Sequence, residues 1–198
     1  MAESDQAAVQ VSGVILAAGR STRFGPGAPK QLHRVGGQTL VYRTAQLALA
    51  SQLRQILVVT GFRGTEVAAA LAGLAVEVVD NPGYRVGQAG SVKAGLARVE
   101  PEAEAVLFIP CDLPNLEPEI IDVLIAVFAE SGGPIIVPTF AGRRMAPVLF
   151  DRSLFGEIAE ITGDVGARQL FSKHEEDIVE VAFASSEPFQ DLDRMTPE

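Results

Sequence analysis

A short apolar run followed directly by a glycine-containing loop constrains this chain most. Residues 14–16 (Val-Ile-Leu) are β-branched and aliphatic, as in a buried strand. Gly19 lies just behind them and lets the backbone turn, so that main-chain amides face outward and attract anionic oxygens. The same stretch supplies three cationic side chains, Arg20, Arg23 and Lys30. The segment therefore predicts a strand that ends at a nucleoside triphosphate site.

Two well-known phosphate-binding patterns do not fit this loop. Its glycines are Gly19, Gly25 and Gly27. Their spacing matches neither the G-x-G-x-x-G dinucleotide fingerprint nor the G-x-x-x-x-G-K-[ST] pattern of P-loop proteins. Dinucleotide-binding and P-loop folds of those types are therefore disfavoured.

Strand-like runs alternate with longer helix-like runs along the rest of the chain, which predicts an α/β layer protein with a mostly parallel sheet. The expected strands are residues 14–17, 55–60, 76–79, 105–109, 134–138 and 145–150, and the expected helices are residues 39–51, 65–71, 90–98 and 117–130. Thr65 and Ser91 are the expected caps of the second and third helices. Ligands of open α/β sheets bind beyond the carboxyl ends of the strands, where both the glycine loop and Asp112 fall.

Length and composition predict one enzyme domain of residues 11–198, behind a flexible tail of residues 1–10. The chain has 198 residues, of which 47% are hydrophobic, and this suits a single substantial core. Its net charge of -9 argues against nucleic acid or an anionic membrane as the main partner, because both need a broad basic surface. The single cysteine, Cys111, excludes an internal disulfide, and the lack of a signal peptide or long apolar run also favours the cytoplasm.

The glycine loop closely resembles the L-A-A-G-x-S-x-R-[MF]-G…P-K signature of the MobA-like nucleotidyltransferases. It reads LAAG-x-S-x-RFG over residues 16–25 and PK at residues 29–30. Later blocks resemble the same family in the expected order: GQAGSVKAGL at residues 87–96, PCDLP at 110–114, PVLF at 147–150, GDVGAR at 163–168 and DLD at 191–193. The last three resemble the molybdenum cofactor cytidylyltransferase branch. The resemblance implies a three-layer, Rossmann-like sheet of the nucleotide-diphospho-sugar transferase type.

The resemblance also implies which residues hold the donor nucleotide. In the family, the glycine loop wraps the triphosphate, and both this loop and the second glycine-serine block contact the base. The implied nucleotide-binding residues are Leu16, Ala17, Ala18, Gly19, Arg20, Ser21, Arg23, Lys30, Gly87, Gly90 and Ser91, and the implied catalytic residues are Arg23, Lys30 and Asp112. Ala18 resembles the cytosine-selecting form of the motif, which implies CTP in preference to GTP.

Carboxylates near the strand ends predict a magnesium site. When a phosphate oxygen attacks the α-phosphorus and pyrophosphate leaves, negative charge builds up on the phosphate oxygens. Mg²⁺ offsets this charge, and the protein needs only one or two carboxylates to hold the ion. By resemblance, Asp112 is the metal-binding aspartate of a D-[ML]-P block, and Asp193 is the second acidic position of D-x-D, with Asp191 as its rival. No general base is needed, because a phosphate monoester is already ionised near pH 7. His33 and His174 have no companion at ligand spacing and are expected to be non-catalytic.

The acceptor side departs from the family pattern. Met145 stands where the family usually has glycine. Its larger side chain would leave a pterin less room to approach the backbone. The expected acceptor-binding residues are Arg143, Arg144, Pro147 and Arg168. The resemblance implies a phosphorylated small-molecule acceptor, above all molybdopterin, with a molybdoenzyme as receiver of the product. Three alternatives remain open: GTP as the donor, a sugar phosphate or methylerythritol phosphate as the acceptor, and a catalytically silent cofactor carrier with the same fold.

Overall fold

A computed structural model describes residues 9–20 and 29–192 of the chain. The strands within these ranges are β1 (Val11–Ala17), β2 (Arg34–Val35), β3 (Gln38–Thr39), β4 (Gln55–Thr60), β5 (Glu77–Asp80), β6 (Ala105–Pro110), β7 (Ile135–Phe140), β8 (Arg143–Arg144), β9 (Val148–Asp151) and β10 (Ile178–Ala182). The helices are α1 (Leu40–Leu49), α2 (Gly64–Ala70), α3 (Gln88–Leu96), α4 (Pro118–Ser131) and α5 (Phe155–Glu160). None of these helices combines the length and the apolar character needed to cross a membrane.

Most strands belong to one sheet in the order β10-β7-β9-β6-β1-β4-β5, with β8 paired to β7, while β2 and β3 form a separate hairpin. β1 lies parallel to both β4 and β6, and β10 lies parallel to β7. β9 is antiparallel to both of its neighbours, β6 and β7. The predicted α/β arrangement with a mostly parallel sheet is therefore confirmed.

Apolar side chains leave the sheet on both faces and form two cores. Ile15 and Leu107 pack on one face with buried residues of α1 and α4. Val14 and Phe108, their neighbours in sequence, pack on the other face with buried residues of α3 and α5. Successive residues of a strand point to opposite faces, so a sheet covered on both sides needs the nearly continuous apolar runs seen in β1 and β6. The result is a three-layer α/β/α structure.

The register of the central strands positions the site. Leu16 of β1 lies opposite Pro110 of β6, and Ala17 lies opposite Thr60 of β4. The residues that follow β1 and β6 therefore leave the sheet at the same edge. Gly19 and Asp112 are brought together in this way, at the edge where open α/β sheets bind ligands.

The two helix caps expected from the sequence are wrong. α2 begins at Gly64 after Arg63, whose φ of 54° places it in the left-handed region, so Thr65 lies inside the helix. Ser91 also lies inside its helix, and its Oγ accepts a hydrogen bond from Asn81 Nδ2 at 3.1 Å. Thr65 and Ser91 each follow a glycine in the sequence, and in each case the helix begins before the residue that was expected to cap it.

Ordered contacts begin before the expected domain boundary. Val9 packs against the core on the α1 side of the sheet. The Gln10 N–H donates to Glu104 Oε1 at 3.1 Å, and the Glu104 N–H donates to the Gln10 carbonyl at 2.8 Å. The rest of the expected tail, residues 1–8, lies outside the described residues.

Candidate active site

An ion pair joins the end of the glycine loop to the carboxylate behind β6. Lys30 begins a short 3-10 turn, Lys30–Leu32, and its Nζ lies 3.0 Å from Asp112 Oδ2. The Lys30 side chain is 11% exposed and that of Asp112 is 31% exposed, so both still reach solvent. Because the pair is partly exposed to solvent, Lys30 can bind a phosphate and Asp112 a cation in its place. Neither charge is then left buried without a partner. The structure thus brings together two of the predicted catalytic residues.

Gln31 holds the glycine loop from beneath. It is only 2% exposed, and its Nε2 donates to the carbonyls of Ala17 at 2.8 Å and Gly19 at 2.7 Å. In a trans peptide the N–H points away from the carbonyl, so the amides of Ala18 and Arg20 face away from Gln31. Backbone amides at such a turn are groups that can bind an anion. The sequence analysis did not identify this role of Gln31.

A cavity of about 730 Å³ lies beside the glycine loop. Its volume is within the range of about 300–1,000 Å³ that small-molecule sites occupy. The predicted nucleotide-binding residues that line it are Leu16, Ala18, Gly19, Arg20, Gly87 and Ser91. Lys30 lines an adjoining cavity of about 140 Å³ together with Asp112.

The other predicted nucleotide-binding residues do not line the 730 Å³ cavity or lie outside the description. Ala17 is fully buried beneath the loop. Gly90 packs toward Asn81, since a Cβ there would lie 3.5 Å from Asn81 Nδ2. Ser21 and Arg23 lie outside the described residues, so their expected contacts with the triphosphate stay predictions.

The second glycine-serine block is held in place by the loop at residues 163–166. Gly87 has a φ of 125°, and a Cβ at this position would lie 2.5 Å from the Gly163 carbonyl oxygen, so only glycine fits. The Gln88 N–H donates to Asp164 Oδ1 at 3.0 Å, and the Ala89 N–H donates to the Gly163 carbonyl at 3.1 Å. The 163–166 loop therefore satisfies the first amides of α3 and fixes where this helix begins.

A second cavity of about 540 Å³ adjoins the first on the side of β9. Its apolar lining residues include Phe108, Met145, Val148, Phe150 and Phe189. Its charged lining residues are Asp112, Arg144, Arg168 and Asp191. A ligand of this cavity would meet both apolar side chains and charged groups.

The two arginines of the second cavity differ in their partners. Arg144 pairs with Glu175 at 2.6 Å and Glu180 at 2.7 Å, and these hydrogen bonds raise the pKa of its guanidinium. The side chain of Arg168 forms no hydrogen bond or ion pair with any residue that the structure describes, and partial burial lowers the pKa of its guanidinium from the usual value. An anionic ligand of this cavity can therefore bind Arg168 without first breaking an ion pair between described residues.

Two of the four predicted acceptor-binding residues do not reach this cavity. Arg143 is exposed on β8, opposite Phe140. Pro147 is buried between Ala146 and Val148, which do line the cavity. Arg144 and Arg168 are the predicted acceptor-binding residues that the structure brings there.

The C-terminal acidic segment lies beside the β6 aspartate. The Leu192 N–H donates to the Asp112 carbonyl at 3.0 Å, and Asp191 and Asp112 line the same cavity. Asp193 lies outside the described residues. No group of three or more acidic, histidine or cysteine residues in the described ranges gathers at metal-binding distance. Mg²⁺ usually takes only one or two carboxylates plus substrate phosphates, so Asp112 and Asp191 are the described carboxylates of this cavity that could hold it.

Cys111 and His174 are not arranged for catalysis. Cys111 is buried, and burial, with a smaller effect of the Asp112 charge, raises the pKa of its thiol far above the usual range. It is a packing residue, because a thiol that stays protonated is a poor nucleophile and a poor metal ligand. His174 lies outside the cavities described above, 3.1 Å from Glu157 and 3.4 Å from Asp177.

The chain matches a family model and several known proteins. A family model described as the MobA-like NTP transferase domain matches residues 13–178. The chain is similar to the crystal structure of Rv0371c from Mycobacterium tuberculosis H37Rv, with a TM-score of 0.78, 32% identity and 89% of each chain covered. It is similar as well to the structure of Rv0371c in complex with manganese, with a TM-score of 0.72, 31% identity, and 88% of this chain and 89% of that chain covered.

Other relatives match only part of their own length. The chain is 32% identical over 140 residues to the bifunctional protein GlmU of Methylococcus capsulatus, and the match covers 68% of this chain and 30% of that protein. It is 32% identical over 133 residues to a 2-C-methyl-D-erythritol 4-phosphate cytidylyltransferase of Frankia casuarinae, which covers 67% of this chain and 48% of that protein. The chain thus spans less than half the length of either relative.

The expected fold type is confirmed by a more distant structure. A nucleotidyl transferase from Methanothermobacter thermautotrophicus has a TM-score of 0.80 at 22% identity, over 93% of this chain and 92% of that one. Together with the three layers and the mostly parallel sheet, this likeness identifies the fold of the nucleotide-diphospho-sugar transferase type.

Proposed function

Because the chain belongs to the MobA-like NTP transferase family, we propose that it is a magnesium-dependent cytidylyltransferase. It would transfer CMP from CTP to the phosphate of a small acceptor, above all molybdopterin or molybdenum cofactor, and release pyrophosphate. The ion pair between Lys30 and Asp112 carries the proposal, because it unites the glycine loop with a carboxylate at the carboxyl edge of the sheet. Transfer of a nucleotide from an NTP is the activity of the family; the cytidine donor and the acceptor are our inference.

In the proposed reaction, an oxygen of the acceptor phosphate attacks the α-phosphorus of CTP. The new P–O bond forms as the bond between the α-phosphorus and the bridging oxygen breaks, and the electron pair leaves with pyrophosphate. Lys30 and the amides of Ala18 and Arg20 would stabilise the triphosphate, with Arg23 as a further cation from the same loop. Catalysis of this kind depends on alignment and on offsetting negative charge, so no protein base has to remove a proton.

Magnesium is part of the proposal. Asp112 would hold the ion, with Asp191 or Asp193 as the second carboxylate. When bound, the ion supplies positive charge to the phosphate oxygens and to the leaving group. The manganese complex of Rv0371c, a relative at 31% identity, supports a divalent cation in a protein of this shape.

The resemblance of Ala18 to the cytosine-selecting form of the family motif supports cytidine as the base. The Ala18 side chain is 3% exposed and faces Gly61, where an added Cβ would lie 3.0 Å away. The backbone of this segment and that of Gly87 can approach a base edge closely. The similarity to a cytidylyltransferase of Frankia casuarinae supports CTP, whereas GTP remains the alternative donor.

The aromatic side chains of Phe108 and Phe150 line the 540 Å³ cavity and support a flat heterocycle as the acceptor, because aromatic rings pack well against one another. Arg168 would bind the acceptor phosphate, and Arg144 would line the pocket beside it. The reaction would take place in the cytoplasm, and a molybdoenzyme would receive the product.

The Frankia relative favours a second candidate acceptor, methylerythritol phosphate. A catalytically silent cofactor carrier is the third candidate. It is motivated by Met145, which lines the cavity where the family usually has glycine.

A panel of donors and acceptors tests these proposals. Purified protein is incubated with Mg²⁺, each of CTP, GTP, UTP and ATP, and each of molybdopterin, molybdenum cofactor, methylerythritol phosphate and a hexose phosphate, and pyrophosphate is measured. We expect release with CTP and a molybdopterin acceptor, and its loss in Asp112→Ala. Asp177→Ala, at an exposed aspartate outside the cavities, is the matched control.

Each outcome of the panel separates the candidates. Release with methylerythritol phosphate alone would identify the second candidate, and faster release with GTP would contradict the cytidine assignment. No pyrophosphate from any pair would contradict the enzyme and favour the carrier. In that case, Asp112→Ala would leave cofactor delivery unchanged.

A further inference from the structure

The three cavities of the site meet at a small set of residues. Among the described residues, those that line the 730 Å³, the 540 Å³ and the 140 Å³ cavity alike are Leu16, Gln88 and Asp112. The first cavity suits the donor and the second the acceptor, so these residues surround the point where the two substrates would meet. Leu16 is apolar and Asp112 is anionic, which leaves Gln88 as the neutral hydrogen-bond donor of the three.

Gln88 is held at this junction through both its backbone and its side chain. It is the first residue of α3, and its N–H donates to Asp164 Oδ1 at 3.0 Å. A Cβ added at Gly166 would lie 2.8 Å from Gln88 Oε1, so the carboxamide rests directly against the Gly166 backbone. Within the described ranges, this carboxamide makes no hydrogen bond. A side chain that is braced in this way and still has its polar atoms available is prepared to bind a ligand.

We propose that Gln88 is a catalytic residue whose Nε2 donates a hydrogen bond to a non-bridging oxygen of the α-phosphate during transfer. The inference rests on the proposed function and assigns a role to a residue of that same site. A neutral amide is suited to this position, because it orients the phosphoryl group beside Asp112 without competing for the metal. Removal of one donor that faces developing charge typically lowers kcat by about 100- to 1,000-fold.

The test compares Gln88→Leu and Gln88→Glu with Gln46→Leu. Gln46 is an exposed glutamine of α1 that accepts a hydrogen bond from Gln38 and lies outside the three cavities. CTP binding with Mg²⁺ is measured by calorimetry, and pyrophosphate release is measured with CTP and molybdopterin as both concentrations are varied. These readouts separate an effect on nucleotide binding from an effect on the transfer step.

We expect Gln88→Leu to lower kcat by about 100-fold, while the Kd for CTP changes by less than about threefold, because the hydrogen bond matters most in the transition state. Gln88→Glu should lower kcat at least as much, since its carboxylate cannot donate and repels the phosphate. Gln46→Leu should match the wild-type protein.

Two results would overturn the inference while leaving the proposed function intact. One is an active wild-type protein whose kcat is unchanged in Gln88→Leu. The other is a change confined to the KM for the acceptor, which would make Gln88 an acceptor-binding residue with no part in the transfer. A wild-type protein that releases no pyrophosphate would instead refute the proposed function, and this inference with it, before any variant is compared.

Discussion

Lys30 Nζ lies 3.0 Å from Asp112 Oδ2, although 82 residues separate the two in sequence. The contact exists because β1 and β6 are neighbours in parallel register, so that the segments behind them leave the sheet side by side. It places a mobile cation and a carboxylate at the junction of the cavities. Both charges are then close to where a triphosphate and its metal would bind.

Replacement of Lys30 should weaken nucleotide binding. We expect Lys30→Met to raise the Kd for Mg²⁺-CTP by about 10- to 100-fold, because one charge-assisted hydrogen bond to phosphate is lost. Calorimetric titration measures the change. Lys173→Met is the control, since Lys173 is 67% exposed and pairs with Glu157 away from the cavities. Equal affinities of Lys30→Met and the wild-type protein would contradict a phosphate-binding role.

Replacement of Gln31 should affect both stability and binding. Gln31→Met leaves the carbonyls of Ala17 and Gly19 without their buried donor, at a cost of about 2–4 kcal/mol in the free energy of unfolding. The Kd for CTP should rise as the loop loses its orientation. Urea unfolding and CTP titration test this. Gln38→Met, at a partly exposed glutamine on β3, serves for comparison, and equal losses in both variants would argue against a special role for Gln31.

Arg168 and Arg143 should differ in their effect on the acceptor. Arg168→Met removes the cation of the 540 Å³ cavity that has no side-chain partner among residues 9–20 and 29–192, and we expect the KM for the acceptor to rise by about tenfold or more with little change in the KM for CTP. Arg143→Met should change neither value much, because Arg143 is exposed on β8. Steady-state kinetics distinguish the two variants. A rise only in Arg143→Met would reverse our assignment.

Gly87 should not tolerate a side chain, whereas Gly156 should. Gly87→Ala imposes a φ of 125° on alanine and a Cβ 2.5 Å from the Gly163 carbonyl oxygen, so we expect a loss of about 2 kcal/mol or more in the free energy of unfolding. Gly156 lies in α5 with no atom within 4 Å of an added Cβ. Gly156→Ala should therefore stabilise the protein by about 0.5–1 kcal/mol. Urea unfolding of both variants checks this pair, and a neutral Gly87→Ala would contradict the close approach of the two loops.

The thiol of Cys111 should resist modification in the folded protein. Its raised pKa keeps it protonated at pH 8–9, whereas an unfolded cysteine ionises near pH 8.5. As the pH rises, Cys111 therefore loses its proton in the unfolded chain before it does so in the folded protein. The contribution of this thiol to the free energy of unfolding is complete below about pH 8.5 and declines at higher pH. Alkylation by iodoacetamide at pH 8.5 measures the difference, with Ala184→Cys as an exposed control. Rapid labelling of Cys111 in native protein would contradict its burial.

Local sequence patterns predicted the parts of this molecule that depend on neighbours in sequence. The strand before the glycine loop and the aspartate behind β6 follow from short runs of residues, and both lie where expected. Gln31 was missed because its partners lie 12 and 14 residues away, and a glutamine next to a lysine gives no sign that it is buried. The pairs that Arg144 makes with Glu175 and Glu180 span 31 and 36 residues. Such contacts appear only once β8 and β10 are placed at the same end of the sheet.

β9 is antiparallel to both of its neighbours in the sheet, and the second cavity lies on its side of the first. The cavity proposed for the nucleotide lies beyond the parallel strands, next to Gly19 behind β1, while β9 and the chain after it, through Arg168, form one wall of the second cavity. In the proposed reaction, mutations in that second stretch would change which small molecule is accepted and leave the handling of the triphosphate as it is. The choice of acceptor and the use of the donor would then be properties of two separate stretches of one chain.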